Sequence, residues 1–301
     1  MPAIPDLLTE LARRPMTADG AMGTQLLLAG LAPGACGMLW NAESPAKVQG
    51  VHAAYRTAGC DFATTNSFNG TTSVLDRHGL AGRADELNRA AARLAREALG
   101  PEGWVLGDIG PFGGFLEPLG ETTETELEEI FARQIAALAE GGANAILVET
   151  MSDPVEAAVG VRAALRAAPG LPVIVTYAFQ MAGSEFRTMM GTTVQEAVSA
   201  ALEAGAAVVG TNCGTSLALD DYVRLTRALV AAAGAAPVIV QPNAGAPRLV
   251  GVEAVYDATP DQMAATARLL LDEGARIVGG CCGTTPDHLA AMARTIREAA
   301  G

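Results

Sequence analysis

Short apolar runs alternate with longer amphipathic stretches along the chain, and a recurring glycine sets the phase of the repeat. Aligned on it, four segments read Gly59-CDFATTN, Gly142-ANAILVE, Gly205-AAVVGTN and Gly274-ARIVGGC. Each follows an alanine- and glutamate-rich stretch of helical periodicity. The glycine is therefore placed to cap a helix C-terminus, and the residues after it to form a buried strand. The seventh residue beyond the glycine is Asn66, Glu149, Asn212 and Cys281 in turn. Polar or ligating side chains thus recur at one level, where each strand ends.

Extending the pattern to the rest of the chain predicts eight strands near 16–19, 62–66, 104–108, 145–149, 173–177, 207–211, 237–241 and 276–280. Helices are predicted near 45–58, 84–99, 125–140, 154–167, 193–204, 219–233, 260–273 and 286–299. Ser44-Pro45, Asp153-Pro154, Thr259-Pro260 and Thr285-Pro286 read as helix starts, since proline at the first helical position loses no hydrogen bond. This alternation implies a parallel sheet, and eight units match an α/β fold of the (β/α)8 TIM-barrel type, spanning 1–301 as a single domain. An open Rossmann-like sheet is the alternative, but no Gly-x-Gly-x-x-Gly follows the first strand. In a barrel, every strand-end residue named above lies on the C-terminal face, where this architecture places its chemistry.

Composition narrows the class. A 301-residue chain that is 50% hydrophobic can bury a large core. Its 20 basic and 33 acidic residues give a net charge of −13, which is repelled by nucleic acid and anionic lipid. The N-terminus lacks a basic, then apolar, leader, and each apolar run is broken before bilayer-spanning length, so a cytoplasmic location is expected. Five cysteines without framework spacing argue against a disulfide scaffold. Cys36 and Cys60 read as bystanders. His52, His78 and His288, in or beside helical stretches, read as solvated or structural.

Cys213, in Thr211-Asn212-Cys213-Gly214, and Cys281-Cys282, in Gly279-Gly280-Cys281-Cys282-Gly283, end two of the predicted strands. The bland alternatives are small buried hydrophobes or a disulfide between the adjacent pair. Adjacent strand residues point to opposite faces, so both can serve one metal only where the strand turns, as Gly279, Gly280 and Gly283 permit. Three thiolates select zinc, and a free fourth position marks a catalytic site.

Other strand ends carry weaker signals. Asp19-Gly20-Ala21-Met22 is either an ordinary Asx turn or a carboxylate for an ammonium, followed by exposed N–H groups for a carboxylate. Glu149 follows a buried run and needs either a structural arginine or a cationic ligand. Asp108, in Gly107-Asp108-Ile109-Gly110-Pro111-Phe112-Gly113-Gly114, ends the third predicted strand, whose loop would shape a donor pocket, and Asn66 shares the level of Glu149, Asn212 and Cys281. Asn243, in Gln241-Pro242-Asn243-Ala244-Gly245, is placed to orient a metal ligand or the substrate.

These residues together resemble the homocysteine S-methyltransferase family. Matching stretches are DGAMGT from Asp19, TTNSFNGTT from Thr64, ILVET from Ile146, GTNCG from Gly210, QPNAG from Gln241 and GGCCGTTPDH from Gly279, and their texture is most similar to the barrel of cobalamin-dependent methionine synthase. The resemblance implies that Cys213, Cys281 and Cys282 bind Zn²⁺ and that the homocysteine sulfur takes the fourth position. It further implies that Asp19 and Glu149 receive the amino group, with Asn212 and the backbone of Gly20, Ala21 and Met22 in the substrate site. Unlike methionine synthase, the sequence stops at Gly301, directly after the eighth predicted helix. The expected methyl donor is therefore a small onium compound such as S-methylmethionine or betaine, or methylcobalamin supplied by a separate corrinoid protein. Two other readings are a subunit of a multi-protein corrinoid-dependent demethylation system and a non-catalytic zinc- or amino-acid-binding barrel.

Overall fold

A computed structural model describes residues 6–214, 217–250 and 253–300. Eight strands, β1 (Met16–Thr17), β2 (Phe62–Thr64), β3 (Trp104–Ile109), β4 (Ala145–Met151), β5 (Val173–Tyr177), β6 (Val208–Asn212), β7 (Val238–Gln241) and β8 (Ile277–Val278), form one sheet. Its order is β1-β8-β7-β6-β5-β4-β3-β2, and every pairing in it is parallel. Eight helices follow the strands: α1 (Pro45–Ala58), α2 (Ala84–Leu99), α3 (Glu124–Glu140), α4 (Pro154–Ala167), α5 (Val194–Ala204), α6 (Leu219–Ala233), α7 (Pro260–Asp272) and α8 (Pro286–Ala300). The arrangement is a (β/α)8 barrel, and the open-sheet alternative falls.

The repeat glycine does what its phase predicts. Gly59, Gly142, Gly205 and Gly274 have φ of 99°, 106°, 106° and 105°, the left-handed conformation in which a Cβ is disfavoured. Helix starts are equally local in origin. Thr123, Thr193 and Thr259 form capping boxes with Glu126, Glu196 and Gln262, and Asp153 accepts from Val155 N.

Alternation along the strands divides the core into two layers. Met16, Phe62, Leu106, Leu147, Ile174, Val208, Ile239 and Ile277 fill the barrel interior, and Leu7 and Leu11 of the helix Leu7–Arg13 pack into the same cluster. Val105, Ile146, Val148, Val175, Val209, Val240 and Val278 face outward, against the helices. With its interior full of apolar side chains, the barrel leaves its chemistry to the mouth.

One seam departs from the ladder. β1 and β2 are not paired as strands, and a single main-chain bond and several side-chain bonds join them instead. Asp61 N–H donates to Thr17 O at 2.8 Å while Asp61 Oδ2 accepts from Thr17 N at 2.8 Å. At the other end, Asp19 Oδ2 accepts from Thr64 N at 2.7 Å and Asp19 Oδ1 from Thr64 Oγ1 at 2.6 Å. Arg14 pairs with Asp61 at 2.8 Å.

Two hairpins, Phe179–Ala182 with Glu185–Thr188 and Arg248–Val250 with Glu253–Val255, and short helices at Met22–Leu28 and Thr72–Asp76 decorate the strand-to-helix connections. Among the described residues, no helix is long and apolar enough to cross a membrane.

Candidate active site

Cys213, directly after β6, and Cys281 and Cys282, in the turn after β8, converge at the C-terminal mouth. Cys213 Sγ lies 3.8 Å from Cys282 Sγ, Cys281 Sγ lies 4.0 Å from Cys282 Sγ, and all three sulfurs lie within 4.8 Å of one another. All three thiols are free, so the disulfide alternative falls. Tetrahedral bonds of about 2.3 Å place ligand sulfurs about 3.8 Å apart, close to the two edges that meet at Cys282. The donor set therefore fits one zinc ion.

Local backbone makes this convergence. Cys213 adopts φ 53°, a left-handed conformation uncommon outside glycine, which swings its side chain out of the strand's alternation. In the second cysteine turn the glycines divide their roles differently from the expectation. Only Gly283 has a left-handed φ, 79°, and a Cβ there would lie 2.4 Å from the Tyr256 side chain. Gly279 and Gly280 are required for close approach: a Cβ would stand 2.6 Å from Ala18 Cβ and 2.6 Å from Thr284 Cγ2, respectively.

Polar side chains fix the sulfurs. Asn243, 2% exposed, accepts from Cys282 N at 3.0 Å and donates to Gly214 O at 3.3 Å, stapling one cysteine loop to the other. Tyr222 donates to Cys213 O at 3.1 Å. Asn212 is fully buried. Its Oδ1 accepts from Thr176 at 2.9 Å, and its Nδ2 reaches Thr150 Oγ1 at 2.7 Å and Cys281 Sγ at 3.8 Å. Its amide is thus engaged by the protein and by a thiol. Asn66 is likewise committed, donating to Gly37 O and Asn41 Oδ1, both at 2.9 Å.

Removing the Asn243 amide should loosen both loops at once. For Asn243→Ala we expect zinc affinity to fall about 10–100-fold, the usual cost of losing a group that orients metal ligands, with the fold retained. Competition with a chromogenic chelator measures it.

Three carboxyls line the same mouth. Asp19 follows β1, Asp108 is on β3 and Glu149 on β4. Burial pushes Asp19 up to about 6 against the pull of its Thr64 hydrogen bonds. Burial, then repulsion from Asp19 and Cys282, pushes Glu149 up to about 8. Asp108 is pushed well above the carboxylate range by burial, then by Glu149 and Asp19. Among the described residues no ion pair reaches any of them, so the structural-arginine alternative for Glu149 falls. Asp108, near the end of β3, thus stands with the other two acids. Its strand end points into the mouth, while the loop beyond is pinned elsewhere: Glu156 accepts from Phe112 N at 2.8 Å.

The first loop is also more occupied than expected. Ala21 N–H donates to Thr284 Oγ1 at 3.1 Å, and Thr284 donates onward to Cys281 O at 2.7 Å, so the Ala21 N–H is not open to a ligand. A Cβ on Gly20 would stand 2.6 Å from the same hydroxyl. The open N–H groups come one step later, from Met22 onward in the first turn of Met22–Leu28, which no side chain caps.

Sequence reasoning missed Thr64, Thr150, Thr176, Tyr222, Tyr256 and Thr284. Thr284, three residues from Cys281, Thr150, next to Glu149, and Thr64, two before Asn66, were within reach; Thr176, Tyr222 and Tyr256 come from a strand, a helix and a loop elsewhere in the chain.

Residues 16–296 match the family model for homocysteine S-methyltransferase. The chain belongs to the homocysteine S-methyltransferase family. Within it, the chain is 33% identical over 309 residues to a methionine synthase from Mycobacterium leprae (strain TN) and 33% identical over 310 residues to one from Mycobacterium tuberculosis (strain ATCC 25618 / H37Rv). Each alignment covers 97% of this chain but 25% of the relative, so the chain spans about a quarter of the length of these curated relatives. The fold is shared with the metallated form of the homocysteine methyltransferase MmuM from Escherichia coli, at a TM-score of 0.77, 24% identity, and coverage of 96% and 98% of the two chains.

Proposed function

We propose that residues 1–301 act as a single homocysteine-binding domain that methylates the homocysteine thiol to form methionine, with zinc held by Cys213, Cys281 and Cys282. The observation that carries this reading is the triangle of thiols at tetrahedral spacing, beside carboxyls that lack a cation. A free thiol titrates near pH 8.5, so zinc bound here would supply the incoming sulfur as a nucleophilic thiolate at neutral pH.

The chain's own residues do the rest. Asp19 and Glu149 receive the substrate ammonium, and the uncapped first turn of Met22–Leu28 offers N–H groups to its carboxylate. Asn212 and Asn243 hold the cysteine sulfurs in place. Methyl transfer breaks the bond from donor to methyl and forms the bond from sulfur to methyl. No side chain has to deliver a proton to the methyl group, and the requirement on the barrel is in-line placement.

The donor is a small onium compound or a methylcorrinoid carried by a separate protein. The test is a donor panel of S-methylmethionine, betaine and methylcobalamin, with zinc-loaded chain and homocysteine, read by mass spectrometry. Methionine should appear with at least one donor and only when zinc is present. Turnover with an onium donor alone excludes an obligatory corrinoid partner. Homocysteine binding without methionine from any donor would favour the non-catalytic barrel.

A further inference from the structure

Asp108 has its main chain fixed on several sides. Its N–H donates to Thr65 Oγ1 at 2.9 Å, and its carbonyl accepts from Ser67 Oγ at 2.7 Å. The side chain is treated differently. The residue is 2% exposed, and its Oδ1 is buried without any hydrogen-bond partner. A buried, unpartnered carboxyl oxygen is costly, and one that the fold positions so firmly is a place for a ligand.

Its neighbours identify the ligand. On β4, Glu149 lies two residues beyond Leu147, the register partner of Asp108. Just beyond β1, Asp19 is gripped by Thr64 of β2, the strand that flanks β3 on its other side. These two acids are the charged groups that bear on Asp108, with Cys282 beyond Glu149, and no lysine, arginine or histidine does so among the described residues. A primary ammonium has three N–H donors, and the mouth presents three carboxyls from three strands.

We propose that Asp108 is a specificity-determining residue that completes a three-carboxyl socket for a primary ammonium. The empty socket retains protons, and an arriving ammonium expels one to solvent. The inference rests on the amino-acid reading above and extends it by naming the group that the socket requires. Thiols that lack the amine, or carry it substituted, leave Asp108 unpaired and are refused.

The test is calorimetric, with zinc-loaded protein, comparing homocysteine with 4-mercaptobutanoate, which has the same thiol and carboxylate but no amine. Titrations in buffers of different ionisation enthalpy count released protons, and the thiol proton is common to both ligands. Wild type should prefer homocysteine by about 100-fold or more, a typical discrimination where charged hydrogen bonds are lost. It should also release an additional proton with homocysteine near pH 7. Asp108→Asn should lose about 10–100-fold in homocysteine affinity and the additional proton, yet bind 4-mercaptobutanoate as wild type does. Asp108→Ser repeats the comparison should the amide disturb the socket. Equal weakening toward both ligands, or an unchanged preference and proton count, would overturn the assignment. Wild type that binds neither ligand would overturn the homocysteine reading, and Asp108 with it.

Discussion

Cys282→Ala is expected to abolish bound zinc and methionine formation together. Cys282 is the shared corner of the sulfur triangle, 3.8 Å from Cys213 and 4.0 Å from Cys281. A structural-type zinc site of about 10–16 kcal/mol over four ligands implies about 2.5–4 kcal/mol for one thiolate, or about 100- to 1,000-fold in affinity. Without the ion, an incoming thiol stays mostly protonated at pH 7, so the nucleophile is lost with the metal. Elemental analysis of purified protein and a methionine assay on the same sample measure both. The fold should survive, because Cys282 is only partly buried and its backbone N–H is held by Asn243. Methionine formation by zinc-free Cys282→Ala protein would exclude the mechanism.

Glu149→Gln should change how stability depends on pH. The folded carboxyl titrates at about 8, against 4.5 ordinarily. Between those values the folded state holds a proton that the unfolded state has released, so stability contributed by the protonated form is full below about 4.5 and is lost as pH rises through about 8. Glutamine stays neutral and loses nothing. Relative to wild type without ligand or metal, Glu149→Gln should therefore gain about 2–3 kcal/mol between pH 5.5 and 8.5. That figure is below the full linkage value because the side chain is partly open to the mouth. Denaturant melts of both proteins across that range check it. His52, buried and held down to about 4, also makes stability pH-dependent, but it loses stability as pH falls below about 6.5 and does so in both proteins alike. Parallel curves for the two proteins would mean that Glu149 is ionised when the site is empty.

The barrel was legible because its signals are local. Glycines such as Gly142 and prolines such as Pro154 punctuate the chain at the residues where the helices end and begin. Cys281 and Cys282 were legible for the same reason, since their turn is written in contiguous glycines. What escaped depends on contacts far apart in sequence. Asn212 looked like a substrate contact from its strand-end level, and only the packing of Thr150 and Thr176 around it shows its amide already engaged. Asp108 reads from the sequence as a strand end, but nothing in its neighbourhood names Asp19, which lies two strands away. Left-handed Cys213 and Thr150 were invisible too, because an L-residue held at φ 53° or 61° is stabilised by surroundings and not by its own preference.

The unlaced joint between β1 and β2 gives Asp19 two employments. The carboxylate that keeps the first and second strands together at the mouth is also one that a guest amine would draw upon. Occupancy at the rim would thereby bear on the one seam that hydrogen-bonded strands do not close.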